Sequence, residues 1–144
     1  MGILLINRDM RVDPTDLPNF DLIITEAPKL DWMPKEEIER GLNKYYTKYA
    51  VVFCDYPLNL DYPCIQYSWD QYTKHPSLFC LSHINKTTPG AFILDPFMGY
   101  AHIGELVIGS YRNFVGIEID KNIFNYGKEK LEWPFSTQQS QVSL

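Results

Sequence analysis

The stretch Ile93–Leu131, ILDPFMGYAHIGELVIGSYRNFVGIEIDKNIFNYGKEKL, decides how this chain folds. Ala91–Leu94 (AFIL) is a short uninterrupted apolar run, the pattern of a strand buried on both faces. Asp95-Pro96 ends it, because proline cannot donate to a sheet ladder. Ile103 to Ser110 reads as a helix, Phe114–Ile119 (FVGIEI) as a second buried strand, and Asn122 to Leu131 as another helix. A strand, a turn containing Gly99, a helix, and a strand tipped by the acid Glu118 about 20 positions on follow the logic of a nucleotide-type site at the carboxyl end of a sheet. Gly99 lets the backbone approach a ligand without a Cβ. The helix N-terminus behind it favours a negative group. Glu118 is placed to accept hydrogen bonds from ribose hydroxyls.

The rest of the chain extends the same alternation. Gly2–Ile6 (GILLI), Phe20–Thr25 (FDLIIT) and Ala50–Cys54 (AVVFC) read as buried strands. Tyr62–Trp69 reads as a further strand at an edge, with Pro63 at its start. Pro34 opens a helix in which Ile38, Leu42, Tyr45 and Tyr49 recur at helical spacing. Another helix is expected from Leu78 to Asn85. Short apolar strands alternating with helices predict a doubly wound, mostly parallel α/β sheet.

Composition narrows the function. The chain has 144 residues, a hydrophobic fraction of 45% and a net charge of −5. That length predicts one domain, residues 1–133, followed by a polar, disordered tail, 134–144. An acidic chain is a poor autonomous binder of nucleic acid, because phosphate contacts dominate that affinity. A role on DNA therefore needs a local basic patch or a partner. Cys54, Cys64 and Cys80 form no Cys-x-x-Cys pair, and His83 and His102 have no ligand cluster around them, so no metal is assigned. No apolar run reaches transmembrane length, and the chain reads as cytoplasmic.

On these residues the chain resembles the permuted, beta-class DNA amino-methyltransferases that act on adenine N6 or cytosine N4. Asp95-Pro96-Phe97-Met98-Gly99 and Gly116-Ile117-Glu118 resemble the family's D-P-F-x-G-x-G and G-I-E-x-D motifs. His75-Pro76 and Thr88-Pro89-Gly90 resemble its H-P segment and K-P-G-D turn. Phe20–Leu30 (FDLIITEAPKL) resembles the strand and catalytic motif D-L-I-I-T-D-P-P-Y. The catalytic-type motif precedes the cofactor motif, which is the permuted order.

The resemblance implies a circularly permuted Rossmann-like methyltransferase fold that binds S-adenosylmethionine. It places Asp95, Phe97, Met98 and Gly99 along the methionine and sugar of the cofactor, Glu118 on the ribose, Asp9 near the adenine, and His75 and Pro76 at the methionine end. It makes Glu26, Pro28 and Lys29 the catalytic positions. The second glycine of the pattern is Ala101 here, flanked by Tyr100 and His102.

The catalytic motif departs further. An exocyclic amino group is a weak nucleophile, because its lone pair is delocalised into the ring. The family accepts both N–H bonds on a short acid or amide and a proline carbonyl, while an aromatic ring stacks on a base flipped out of the duplex. Here the tetrad reads Glu26-Ala27-Pro28-Lys29. Glu26 adds a methylene, which displaces the acceptor by roughly 1 Å. Lys29 replaces the aromatic with a hydrated point charge. Trp32 is a candidate substitute for the stacker.

The segment Asp55–Lys74 is too short for a target-recognition region. Its Tyr56, Tyr62, Tyr67, Trp69 and Tyr72 suit packing or an interface better than base stacking, since no cation precedes Lys74 in it. Arg40, Lys44 and Lys48 line one helix face, interspersed with Glu36, Glu37 and Glu39, as a solvated face does. Two functions follow as expectations. One is methyl transfer from S-adenosylmethionine to an amino group of adenine or cytosine in DNA, weak or partner-dependent. The other is a catalytically inactive methyltransferase-like subunit with a binding or regulatory role. Both imply a homo-oligomer or hetero-complex that reaches DNA through its partner, and no membrane.

Overall fold

A computed structural model describes residues 2–132; the expected tail at 134–144 lies outside them. Six strands form one sheet: β1 (Ile3–Asn7), β2 (Leu22–Glu26), β3 (Ala50–Phe53), β4 (Cys64–Tyr67), β5 (Phe92–Asp95) and β6 (Asn113–Glu118). Their order is β1-β6-β5-β2-β3-β4, and every neighbouring pair is parallel. The helices are α1 (Lys35–Leu42), α2 (Trp69–Lys74), α3 (Pro76–Ile84), α4 (His102–Gly109) and α5 (Lys121–Glu132).

The strand sequences alternate between two cores because successive side chains leave opposite faces. Leu22, Ile24, Val51, Phe53, Ile93 and Phe114 pack under α2, α3, α4 and α5, through Tyr72, Ile84, Val107 and Leu131. Ile23, Ala50, Val52, Leu94, Val115 and Ile117 pack on the other face against Ile38 and Leu42 of α1 and against loop residues such as Met10 and Met33. The uninterrupted apolar runs reflect burial on both faces.

Chain direction diverges between β5 and β2. β5 leads through α4 to β6 on one side, and β2 leads through α1 to β3 on the other. Ligands in open α/β sheets bind at such a reversal, beyond the carboxyl ends of the strands. The order also makes the permutation visible, since β2 precedes β5 in the chain.

Three expectations are corrected. The helix read through Tyr45 and Tyr49 stops at Leu42. The chain must turn back to enter β3 beside β2, and Lys48 N donates to Phe20 O (3.2 Å) as it does so. Tyr45 is still buried, its hydroxyl donating to Met10 O (2.7 Å), so the apolar spacing continued on a loop that fills the same core. The strand read over Tyr62–Trp69 is confined to Cys64–Tyr67, and α2 follows it directly. Ser68 and Gln71 close a capping box around its first turn, with Gln71 N donating to Ser68 Oγ (3.1 Å) and Ser68 N to Gln71 Oε1 (3.1 Å). α3 begins at Pro76, two residues before the expected Leu78, with proline in the first turn where its missing N–H costs nothing.

Candidate functional site

The reversal brings the ends of β5 and β2 together, with Asp95 and Glu26 at their tips. Asp95 is 1% exposed. Its Oδ1 accepts from the Thr25 hydroxyl (2.6 Å) and from Phe97 N (3.1 Å). Burial pushes its carboxyl up to about 8 against those two hydrogen bonds, and the charges of Glu26 and Glu118 add to the rise. Burial also raises Glu26, opposed by the neighbouring Tyr72 hydroxyl and by His102.

Beyond β5 the chain makes a tight loop. Met98 N donates to Ile117 O (2.9 Å) and Ala101 N to Met98 O (2.8 Å). Gly99 takes φ +52°, in the left-handed region that favours glycine. Ala101 takes φ +66° without being glycine, at a cost on the order of 1 kcal/mol. A glycine would meet this backbone requirement freely; this chain meets it with strain. Gly127 of α5 lies against the loop: a Cβ there would stand 3.0 Å from Gly99 O and 3.3 Å from the Ala101 methyl. α4 starts at His102 with no side chain capping its N-terminus.

Glu118 ties this loop to the next strand. Its Oε1 accepts from Gly99 N (3.0 Å) and its Oε2 from Asp120 N (2.9 Å). Arg8 and Asp9, just past β1, approach from the other side. Asp9 is held by the Arg11 fork, with Nε donating to Oδ1 (3.0 Å) and a guanidinium NH2 to Oδ2 (2.7 Å), which lowers its carboxyl below the usual range.

These groups line a groove of three connected parts. One, about 200 Å³, has Asp9, Glu26, Trp32, Phe97 and Glu118 in its walls. The second, about 420 Å³, has Glu26, Tyr72, Pro76, Asp95, Phe97 and Gly99. Glu26 and Phe97 belong to both. The third, about 440 Å³, is walled by Ala27, Pro28, Lys29, Tyr56 and Trp69. Four acidic side chains around the first two parts, Asp9, Glu26, Asp95 and Glu118, favour a ligand that carries positive charge.

The expected site residues thus mostly converge. Asp9, Glu26, Pro28, Pro76, Asp95, Phe97, Gly99 and Glu118 line the groove. Met98 lines it too, but its side chain is buried: a Cβ on Gly116 would meet its sulfur at 2.5 Å. His75 is exposed outside these walls, at the junction of α2 and α3. Trp32 stands edge-on to Phe97 (centroids 6.5 Å, 78°) in the wall of the first part, whereas Lys29, whose carbonyl accepts from Trp32 N (3.0 Å), is in the wall of the third. Thr25 was missed by sequence reasoning, although a lone hydroxyl at the end of an apolar strand was its signal. Arg8, Tyr72 and Trp69 were not singled out for this site either. Among the described residues, no group of His, Cys, Asp and Glu is arranged to hold a metal.

The buried Asp95 makes a prediction about pH. Its folded-state pKa lies above the ordinary carboxylate value, so the folded protein holds a proton that the unfolded chain has released. Stability is therefore expected to fall as pH rises from about 4 toward 8 and to level off above it. Asp95→Asn keeps an oxygen for Thr25 and Phe97 and removes the titration. Thermal melts from pH 5 to 8.5 are expected to show a shallower decline in this variant than in the unmodified protein. Parallel curves would assign the pH dependence elsewhere.

Comparison with known proteins agrees with this fold. No family model matches the chain. Over 77 residues, half of this chain, it is 34% identical to the DNA adenine methyltransferase YhdJ of Escherichia coli (strain K12). The chain spans about a quarter of that relative's length, 26%. The crystal structure of M1.HpyAVI matches with a TM-score of 0.64 at 19% identity, covering 90% of this chain and 98% of that one. The M1.HpyAVI–SAM complex matches with a TM-score of 0.62 at 21% identity over the same shares. This chain therefore has the Rossmann-like fold of M1.HpyAVI and, over half its length, a sequence similar to that of a DNA adenine methyltransferase.

Proposed function

We propose that this chain is an S-adenosylmethionine-binding domain of the DNA amino-methyltransferase type, acting on an exocyclic amino group of adenine or cytosine with the help of a partner chain or a second copy. The observation that carries the reading is the groove at the β5/β2 reversal. There a loop N–H is clamped by an acid at the tip of the next strand, beside a buried carboxylate and an open helix N-terminus. Similarity to YhdJ, a DNA adenine methyltransferase, and to a fold solved with SAM supports it.

In this reading the adenine lies by Asp9 and Trp32, the ribose by Glu118, and the methionine end by Asp95, Gly99 and Pro76. His75 shapes that end only through the start of α3, and Met98 through its backbone. Glu26 and Pro28 face the acceptor, with Lys29 at the rim. The domain works in the cytoplasm. No helix among the described residues is long and apolar enough to cross a membrane.

One observation favours a catalytically silent, partner-directed version of the same domain. The Tyr56 hydroxyl donates to Pro28 O (2.5 Å), occupying a carbonyl of the catalytic turn. Calorimetric titration with S-adenosylmethionine and S-adenosylhomocysteine tests the common core of both versions. Binding to the folded state alone at 100 times Kd is expected to add about 2.7 kcal/mol of stability. No heat and no thermal shift at millimolar ligand would sink both. A methylation assay on mixed-sequence DNA, with and without proteins co-purified from the source, then separates them.

A further inference from the structure

We propose that Trp69 is the aromatic residue against which the acceptor base stacks, taking over in this chain the role that Lys29 cannot fill. The inference rests on the proposed function and names the residue that would recognise the flat, amino-bearing ring of the acceptor.

The aromatics of the 56–72 segment separate cleanly by environment. Tyr62 donates its hydroxyl to Leu42 O (2.8 Å). Tyr67 stacks on Phe53 (5.9 Å) and its hydroxyl pairs with His83 Nε2 (2.8 Å). Tyr72 is 2% exposed and stacks on Phe53 at 3.8 Å. Tyr56 holds the Pro28 carbonyl. All four are committed to packing. Trp69 keeps 42% of its surface exposed.

The position of that exposed ring is specific. Trp69 is in the wall of the groove part that contains Glu26, Asp95 and Gly99, and also in the wall of the part formed by Ala27, Pro28 and Lys29. A methyl group passing from cofactor to acceptor crosses the boundary between these two parts. Trp32, the alternative, is more exposed (55%), but it stands edge-on to Phe97 in the wall shared with Asp9 and Glu118, where the proposed adenosine lies, and not in the wall formed by Ala27, Pro28 and Lys29.

Trp69 is also fixed in place. Its backbone N donates to Asp55 Oδ1 (2.8 Å), the Ser68–Gln71 capping box sets the first turn of α2, and its ring leans on Tyr72 (5.6 Å, 53°). A ring held this way loses little entropy when a base stacks on it. Every nucleobase has a π-face, so the contact selects planarity and leaves discrimination to Glu26.

The experiment uses the full chain with saturating S-adenosylhomocysteine and a short single-stranded oligonucleotide containing adenine and cytosine. Trp69→Ala is expected to weaken oligonucleotide binding by roughly 5- to 100-fold, the range of one lost base–aromatic stack, and Trp69→Phe by much less. In a Trp32→Phe, Trp133→Phe background, the remaining Trp69 fluorescence is expected to be quenched as oligonucleotide is added. Equal affinity of the unmodified and Trp69→Ala proteins would overturn the assignment, as would undetectable oligonucleotide binding or unchanged fluorescence. Calorimetry with S-adenosylhomocysteine on the same samples keeps the two ideas apart. If the cofactor binds and the oligonucleotide results fail, Trp69 is wrong and the cofactor reading stands. If the unmodified chain binds no cofactor, the proposed function itself has failed.

Discussion

Replacing Glu118 by alanine is expected to weaken binding of S-adenosylmethionine and S-adenosylhomocysteine by about 1–3 kcal/mol, roughly 5- to 150-fold in Kd. Two losses combine. In the proposed complex the ribose hydroxyls lose an ionised acceptor. In the free protein, Gly99 N and Asp120 N lose the oxygens that hold the loop against β6. The second loss should appear without any ligand, as a drop in stability of about 1 kcal/mol, since water can reach this rim. Glu118→Gln separates the effects. It keeps one oxygen for a backbone N–H but turns an NH2 group toward the other, so its affinity is expected to fall between the two. Glu129→Ala, exposed on α5, serves as the control for lost surface charge and should leave binding unchanged. Calorimetry on the four proteins, with melts of the ligand-free forms, measures both losses. If Glu118→Ala binds normally, the ribose does not sit on β6.

The central strands and the cofactor-type loop were legible in sequence because each has a single physical cause. Burial on both faces demands unbroken apolar runs, and these appear at Ile93, Leu94 and at Val51 to Phe53. The Gly99 turn and the acid at Glu118 were readable because a ligand-facing loop needs a glycine and an acceptor at a fixed distance along the chain. What failed to show was local competition. Tyr45 keeps helical spacing after the helix has ended, because a loop fills the same core layer. α2 was hidden by aromatics that read as strand, although Ser68 and Gln71 carried its capping signal. The acceptor side was the least legible. Which of five aromatics faces the groove depends on where β4 ends, and a shift of one residue turns a strand side chain to the opposite face.

The largest effect is expected at the catalytic turn. The unmodified chain, tested alone, should transfer little or no methyl to adenine or cytosine in DNA. The cause lies at Glu26 and Ala27 more than at Lys29. Glu26 reaches too far by a methylene, and its burial disfavours the charged form. Ala27 relaxes the turn that aims the neighbouring carbonyls. A misplacement of 1 Å costs on the order of 100-fold in rate. These changes touch the same few atoms around one nitrogen, so their effects are coupled and single reversions should recover little. The triple change Glu26→Asp, Ala27→Pro, Lys29→Tyr is expected to raise transfer to short single-stranded DNA by about 10-fold or more, since base flipping costs least there. If Trp69 already supplies the stacking surface, Glu26→Asp with Ala27→Pro alone should recover most of that gain. Initial rates with labelled S-adenosylmethionine compare the unmodified, double and triple variants. A triple variant that binds cofactor yet stays inactive would assign the larger defect to the missing recognition surface, to be supplied by a partner. Robust methylation by the unmodified chain would falsify the prediction, and it would mean that Glu26 with the Pro28 carbonyl is sufficient for the chemistry.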